Sequence, residues 1–336
     1  MGHLRRCLTL AGELAEHGSE VFLLCRSEAF DISEHMTQIV TDWATCDWSL
    51  TPEEDAQEVI RYSRMKHIDS VIVDHYRTDQ TYQKILYESG IRWLQFDGAA
   101  RYPIWADWVL NMSPAASEEL YEKLKPRKDT RLLLGSRYAL LRKEFQQQRS
   151  RVKKSGPVKR ILLTFGGGDD RGATLFCLKA IQFLGEEVER VVLLSSMNPR
   201  NEEIFTWCRE GRDNVRIVID AEETAPYMAS ADLAITAGGM TTFEMAALGI
   251  PVMILQIADN QVPITRAWQK CGYGVDMGCL DRLRPDYLQR EMMSLMQNTT
   301  RRKAMAAAGL SLVDGQGTGR VARILLSESP LGEASG

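Results

Sequence analysis

No stretch of this sequence approaches the roughly 18 consecutive apolar residues that a membrane-spanning helix needs. The first 20 residues carry Arg5, Arg6, Glu13 and Glu16 inside a helical pattern and so contain no signal-peptide core. No C-x-x-C occurs. The seven cysteines, at positions 7, 25, 46, 177, 208, 271 and 279, are odd in number and widely spaced. That argues against a disulfide framework or a zinc site and for reduced, buried thiols in a cytoplasmic protein. There is no basic block: 41 Lys and Arg against 45 Asp and Glu give a formal net charge of −4, which argues against a dedicated nucleic-acid binder. No Asp/Glu/His cluster has metal-ligand spacing, and no Ser–His–Asp or Cys–His nucleophile set can be drawn from spacing. The chain is expected to need no metal or cofactor, to have no nucleic-acid partner and no stable membrane insertion, and to favour the monomer. An anionic ligand would have to be met locally, by backbone amides and single arginines.

What is present is an alternation of apolar strands and amphipathic helices over 336 residues, enough for about two domains. Leu8, Leu10 and Leu14 recur at near-helical spacing, and His17-Gly18 closes that helix. Strands are expected at Glu20 to Arg26, at Val71 to Val73 running into Asp74-His75-Tyr76, at Arg92 to Asp97 and at Trp108 to Met112, with helices at Pro52 to Met65 and Asp79 to Ser89. A basic stretch with Ser-Gly-Pro, residues 146–159, reads as a linker. A second series follows: Arg160 to Phe165, Arg190 to Ser195, Val215 to Asp220, Leu233 to Thr236, Pro251 to Ile257 and Gly272 to Met277. The expectation is an α/β protein of two Rossmann-like domains with parallel sheets, 1–145 and 160–326, a tail 327–336, and a ligand cleft between the halves.

In open parallel sheets, ligands sit beyond the carboxyl ends of the strands, so the residues just after each strand carry the information. Gly166-Gly167-Gly168-Asp169-Asp170 stands between a strand and a helical pattern. It suits either a phosphate cradle at a helix start or simply a tight turn. Leu233 to Thr236 leads into Ala237-Gly238-Gly239-Met240-Thr241-Thr242-Phe243-Glu244, and then by Gly249-Ile250-Pro251 into the next strand. Glu244, five residues after the Gly-Gly turn, is placed to accept hydrogen bonds from a ribose diol, in preference to being a solvated helix residue. Asp259-Asn260-Gln261 either caps the next helix or reads sugar hydroxyls and an amide. His3, beside Gly2 at a helix start with Arg6, is a candidate base, although position alone equally suits a frayed terminal histidine. His75 is either a site residue or a packed one, and His17, His35 and His67 read as surface or structural.

These residues resemble the PseG/SpsG family, which includes UDP-2,4-diacetamido-2,4,6-trideoxy-β-L-altropyranose hydrolase of pseudaminic acid biosynthesis. Met1 to Gly12 (MGHLRRCLTLAG) resembles its G-x-G-H-x-x-R-C-L-x-L-A opening, Val73 to Tyr76 (VDHY) its V-D-x-Y, and Leu134 to Phe145 its G-P-x-Y-A-L-L-R-x-E-F segment. Phe165 to Asp169 resembles F-G-G-x-D, and Gly238 to Gln261 matches in order and spacing. The resemblance implies a MurG-like glycosyltransferase-B fold and metal-independent, inverting hydrolysis of a UDP-sugar. It assigns His3 as the base on water, Tyr76 and Asn260 as catalytic residues and Glu244 as the ribose ligand, with Gly167, Gly238 and Gly239 facing the diphosphate. Gly2, Arg6, Asp97, Gly166, Asp169, Met240, Thr241, Asp259 and Gln261 complete the expected substrate contacts. Where the family has an aspartate pair, only Asp97 stands here. Nothing in the sequence corresponds to the family's first strand and first glycine. The first domain is therefore expected to lack that strand and to be loosened, as in a shortened form of a longer protein. The rival readings are a UDP-sugar glycosyltransferase and a nucleotide-sugar-binding protein with impaired catalysis.

Overall fold

The computed structural model describes residues 2–25, 38–47, 49–98, 100–149, 156–210 and 214–327. The chain forms two compact units: His3–Leu140 with Gln316–Gly336, and Leu141–Gly315 with Met1–Gly2. Among the described residues no helix is long and apolar enough to cross a membrane.

In the first unit, helix Gly2–Glu16 precedes β1 (Phe22–Cys25) and β2 (Asp42–Thr45). Next come β3 (Ser70–Val73), β4 (Arg92–Phe96), β5 (Trp108–Asn111) and β6 (Arg131–Leu134). Every pairing is parallel, but the strands fall into two sheets, β1-β2 and β3-β4-β5-β6. Among the described residues β1 therefore bonds only β2, and β3 only β4. Burial follows the pairing: β5 is buried at all four positions, whereas β1 is half-buried throughout. The crossover helices are specified locally. Pro52–Met65 opens with a capping box between Thr51 and Glu54, and Gln80–Glu88 is capped by Asp79. They lay Ala56, Ile60, Tyr82 and Leu86 against Val73, Trp93 and Val109.

The second unit is one six-stranded parallel sheet in the order β12-β11-β10-β7-β8-β9. Its strands are β7 (Arg160–Thr164), β8 (Glu189–Leu194), β9 (Val215–Ile219), β10 (Leu233–Ala237), β11 (Val252–Gln256) and β12 (Gly274–Cys279). β10 and β11 are fully buried, as expected of strands covered on both faces. The chain runs outward from β7 in one direction and from β10 in the other. This order puts the topological switch point between β7 and β10, the place where such sheets bind ligands.

The boundaries differ from those read in the sequence. Helix Lys143–Arg149 belongs to the second unit, because the Arg149 guanidinium donates to the carbonyls of Ala247, Leu310 and Val313. The last helix, Gly317–Ser327, belongs to the first unit rather than the second. Gly317 lies against the Ala139 backbone, where a Cβ would come within 2.2 Å of a carbonyl oxygen, and Arg320 donates to the Arg137 carbonyl at 2.6 Å. Of the expected linker, residues 150–155 lie outside the described residues.

Candidate functional site

Both glycine turns of the second unit flank the switch point. After β7, Gly166 takes φ 97°, a left-handed conformation that favours glycine. Asp170, buried, accepts from the Gly172 and Thr174 amides and so caps helix Ala173–Ala180, while Asp169 is exposed and accepts from the Arg171 amide. Arg171 ties this turn to the end of β11, two strands away: its guanidinium donates to the Ile257 carbonyl at 2.9 Å and meets Asp281 at 3.1 Å.

After β10, Gly238 is needed for packing. A Cβ there would lie 2.4 Å from Thr265 Oγ1 and 3.1 Å from Gln261 Cβ. Gly239 faces open space and is the N-cap of helix Met240–Ala247, with no side chain capping it. The amides of Met240 and Thr241 thus stand at the positive end of a helix beside the switch point, an arrangement suited to an anion. Glu244 is mostly shielded, at 17% side-chain exposure, with its Oε1 3.8 Å from Arg142 Nη2. The same guanidinium meets Glu144 at 2.8 Å, the Thr224 hydroxyl at 2.8 Å and the Glu222 carbonyl at 3.3 Å. Burial pushes the Glu144 carboxyl up, against the pull of Arg142. It also accepts a hydrogen bond from the Ala225 amide at 3.3 Å.

Asp259, Asn260 and Gln261 form a short 3-10 turn after β11, with Asp259 and Asn260 exposed. Gln261, at the N-cap of helix Val262–Lys270, makes no side-chain cap bond and instead folds back, its Oε1 accepting from the Ile257 amide at 2.9 Å.

In the first unit, His3 is anything but frayed. It lies in the first turn of helix Gly2–Glu16, and its Nδ1 is 2.6 Å from Asp74 Oδ1, at the carboxyl end of β3. Arg6, one turn on, closes a two-pronged bond with both Asp74 oxygens at 2.5 Å. The Arg6 guanidinium also lies 4.6 Å over the Phe96 ring. Burial of Asp74 opposes its ionisation, but the hydrogen bonds and charges of Arg6 and His3 outweigh that and hold its carboxyl well below the usual carboxylate range. Tyr76 stacks edge-on to His3 with ring centroids 4.7 Å apart and is itself 75% exposed. Cys7, also against Asp74, is pushed far up by burial and by that carboxylate, so it stays a thiol.

His75 is packed. It meets Asp55 at 3.5 Å, accepts from the Arg77 amide and stacks on Tyr82. Asp97 turns its carboxylate onto the Ala100 amide at 3.1 Å, shaping its own turn. Gly2 opens the first helix and is exposed, and His35 lies outside the described residues. Sequence reasoning passed over Asp74 as a site residue, and also Arg142 and Arg171. The signals for Asp74 were its place directly after the apolar strand Ser70–Val73 and the aspartate of the V-D-x-Y match. Among the described residues no group of three or more His, Cys, Asp or Glu is arranged to hold a metal ion.

No family model matches the sequence. It is 24% identical over 331 residues to the spore coat polysaccharide biosynthesis protein SpsG of Bacillus subtilis, covering 97% of this chain and 94% of that protein. It is 25% identical over 265 residues to the uncharacterized protein MJ1062 of Methanocaldococcus jannaschii, covering 76% of this chain and 52% of that one. Among solved structures, MurG of Acinetobacter baumannii matches with a TM-score of 0.69 at 17% identity, covering 97% of this chain and 96% of that one. An S. aureus MnaA–UDP co-structure matches with a TM-score of 0.65 at 12% identity, covering 97% and 93%. The sequence is thus SpsG-like over nearly its whole length, and the fold is the two-domain α/β fold of glycosyltransferase-B proteins and epimerases.

Proposed function

We propose that this SpsG-like chain hydrolyses a UDP-linked diacetamido-trideoxyhexose to free sugar and UDP. The observation that carries the proposal is the 2.6 Å contact between His3 Nδ1 and Asp74. Asp74 is held ionised, so Nδ1 carries the proton and donates it, which leaves Nε2 as a free acceptor. A water bound at Nε2 gives up a proton as its oxygen attacks the anomeric carbon. The bond from that carbon to the UDP oxygen breaks with inversion, and UDP leaves with the electron pair. The proton on His3, stabilised by Asp74, then passes to solvent. A base so placed contributes typically about 10²–10⁴-fold.

The nucleotide is assigned to the switch point of the second unit. The amides of Met240 and Thr241 and the turn Gly166-Gly167 would meet the diphosphate, and Glu244 the ribose hydroxyls. UDP is a stable leaving anion, so helix-start amides serve where a dedicated acid would otherwise be needed. Exposed Asn260, with Asp259, has the donor and acceptor that acetamido groups require. The switch-point topology and the match to a UDP co-structure support the nucleotide reading.

The test is to incubate the chain with UDP-sugars bearing acetamido groups and follow UDP and free sugar by chromatography, with and without alcohol or amine acceptors. Release of both products from water alone is expected. UDP release that depends on an added acceptor would replace hydrolysis by glycosyl transfer.

A further inference from the structure

At the edge of the second unit's sheet, a cavity of about 810 Å³ opens around β12, two strands removed from β10 and the switch point. Its wall holds four arginines, Arg266, Arg282, Arg284 and Arg290, and two acids, Asp276 and Asp286. The acids are already committed. Asp276 accepts from Gln256 Nε2 at 2.9 Å and from the Gly278 amide at 2.8 Å. Asp286 accepts from Arg284 at 3.0 Å, and Arg290 adds to the field that holds its carboxyl low. The guanidinium groups of Arg266 and Arg282, by contrast, make no hydrogen bond or ion pair among the described residues. In a chain of net charge −4, this wall is locally cationic and retains guanidinium donors without acceptors. Protection of an exposed sheet edge does not account for it: Arg266 and Arg290 are on the helices Val262–Lys270 and Pro285–Gln297, not on β12.

We infer that this cavity is a second anion site, distinct from the nucleotide position, that takes a phosphate-bearing ligand through Arg266 and Arg282. Guanidinium forks match phosphate oxygens in pairs, and their weak hydration favours such contacts over a lone ammonium. The Tyr287 ring, with the Arg290 guanidinium 5.8 Å from its centroid, supplies a flat apolar side to the same space.

The experiment uses the full chain in two arms. In one, inorganic pyrophosphate is titrated calorimetrically with UDP present at saturation, so that the switch point is already filled; in the other, vesicles of phosphatidylcholine with phosphatidylglycerol are tested by co-sedimentation. The wild-type chain should bind saturably in at least one arm. The double variant Arg266→Gln with Arg282→Gln should lose about tenfold or more in affinity, as expected when charge-assisted hydrogen bonds are removed. Both side chains are exposed, so the variant should melt at the wild-type temperature, and Arg266→Gln alone should show an intermediate loss. The absence of saturable binding in both arms would overturn the inference, and so would binding that the double variant retains. UDP binding itself is measured beforehand on the wild-type chain and the double variant, and it should be equal in the two, which keeps the reading of the switch point to its own test.

Discussion

His3 Nδ1 and Asp74 Oδ1 lie 2.6 Å apart although 71 residues separate them in the chain. Helix Gly2–Glu16 supplies one partner and the end of β3 the other. The carboxylate is 4% exposed and also bonded by Arg6. It therefore sets the tautomer of the imidazole rather than competing with water for it.

If His3 is the base, His3→Asn should lower kcat by about 10²–10⁴-fold and leave UDP affinity unchanged, because the base acts on water and not on the nucleotide. Asp74→Asn should also lower kcat, since the amide no longer holds the Nδ1 proton of His3 as a carboxylate does or stabilises the imidazolium formed when water gives up its proton. Steady-state kinetics with calorimetric UDP titration would check both. Near-normal kcat in His3→Asn would remove the assigned role.

Glu244 is assigned to the ribose. Glu244→Ala should weaken UDP binding by about 1.5–3 kcal/mol, the range for a hydrogen bond to a charged group. Calorimetry is the measurement, and an unchanged dissociation constant would sink the assignment.

Gly238→Ala should destabilise the second unit through packing alone. The added methyl would sit 2.4 Å from Thr265 Oγ1, and Thr265 is fully buried. A cost of about 1–3 kcal/mol is expected for overpacking of this kind, read as a lower Tm. Pairing it with Thr265→Ala, which removes the hydroxyl, should recover part of the loss.

Asp74 also makes a prediction for acid stability. Its folded carboxyl is held below the ordinary value by Arg6 and His3, against the effect of burial. The unfolded chain therefore binds the proton more readily. The stabilisation is fully present above the ordinary carboxylate value of about 4 and is lost progressively as pH falls below it toward the folded value. Denaturant unfolding from neutral pH down to pH 3 should show this decline, and Asp74→Asn should remove that component of it. An identical pH dependence in the variant would refute the linkage.

The proposed hydrolysis uses amides, not a cation, to meet the diphosphate. Turnover should survive EDTA, and recovery of a lost activity by Mg²⁺ or Mn²⁺ would contradict this.

Much of the second unit was readable from the chain itself. All six of its strands overlap runs legible in the sequence; for β7, β8, β10 and β11 this is because strands buried on both faces are apolar nearly throughout, whereas the edge strands β9 and β12 are partly exposed and carry Arg216 and Asp276. Its Gly-Gly turn marked the start of the helix that bears Glu244. In the first unit, β2 (Asp42–Thr45) and β6 (Arg131–Leu134) were not anticipated. β2 is largely exposed and mixes polar with aromatic residues, so no period identifies it. β6 is short and follows a charged loop. The ends of the units were also hidden. That Arg149 caps three distant carbonyls and that Gly317 fits against Ala139 are long-range facts with no local signature. The site divides in the same way. Residue types after strands, the glycines and the single Glu244 follow from local pattern, because turn and helix-start chemistry is local. The pairing of His3 with Asp74, the packing role of His75, the turn-shaping role of Asp97 and the fold-back of Gln261 were decided only by tertiary structure. Each depends on which groups parallel strand order and helix packing bring within hydrogen-bond reach, and sequence distance carries no record of that.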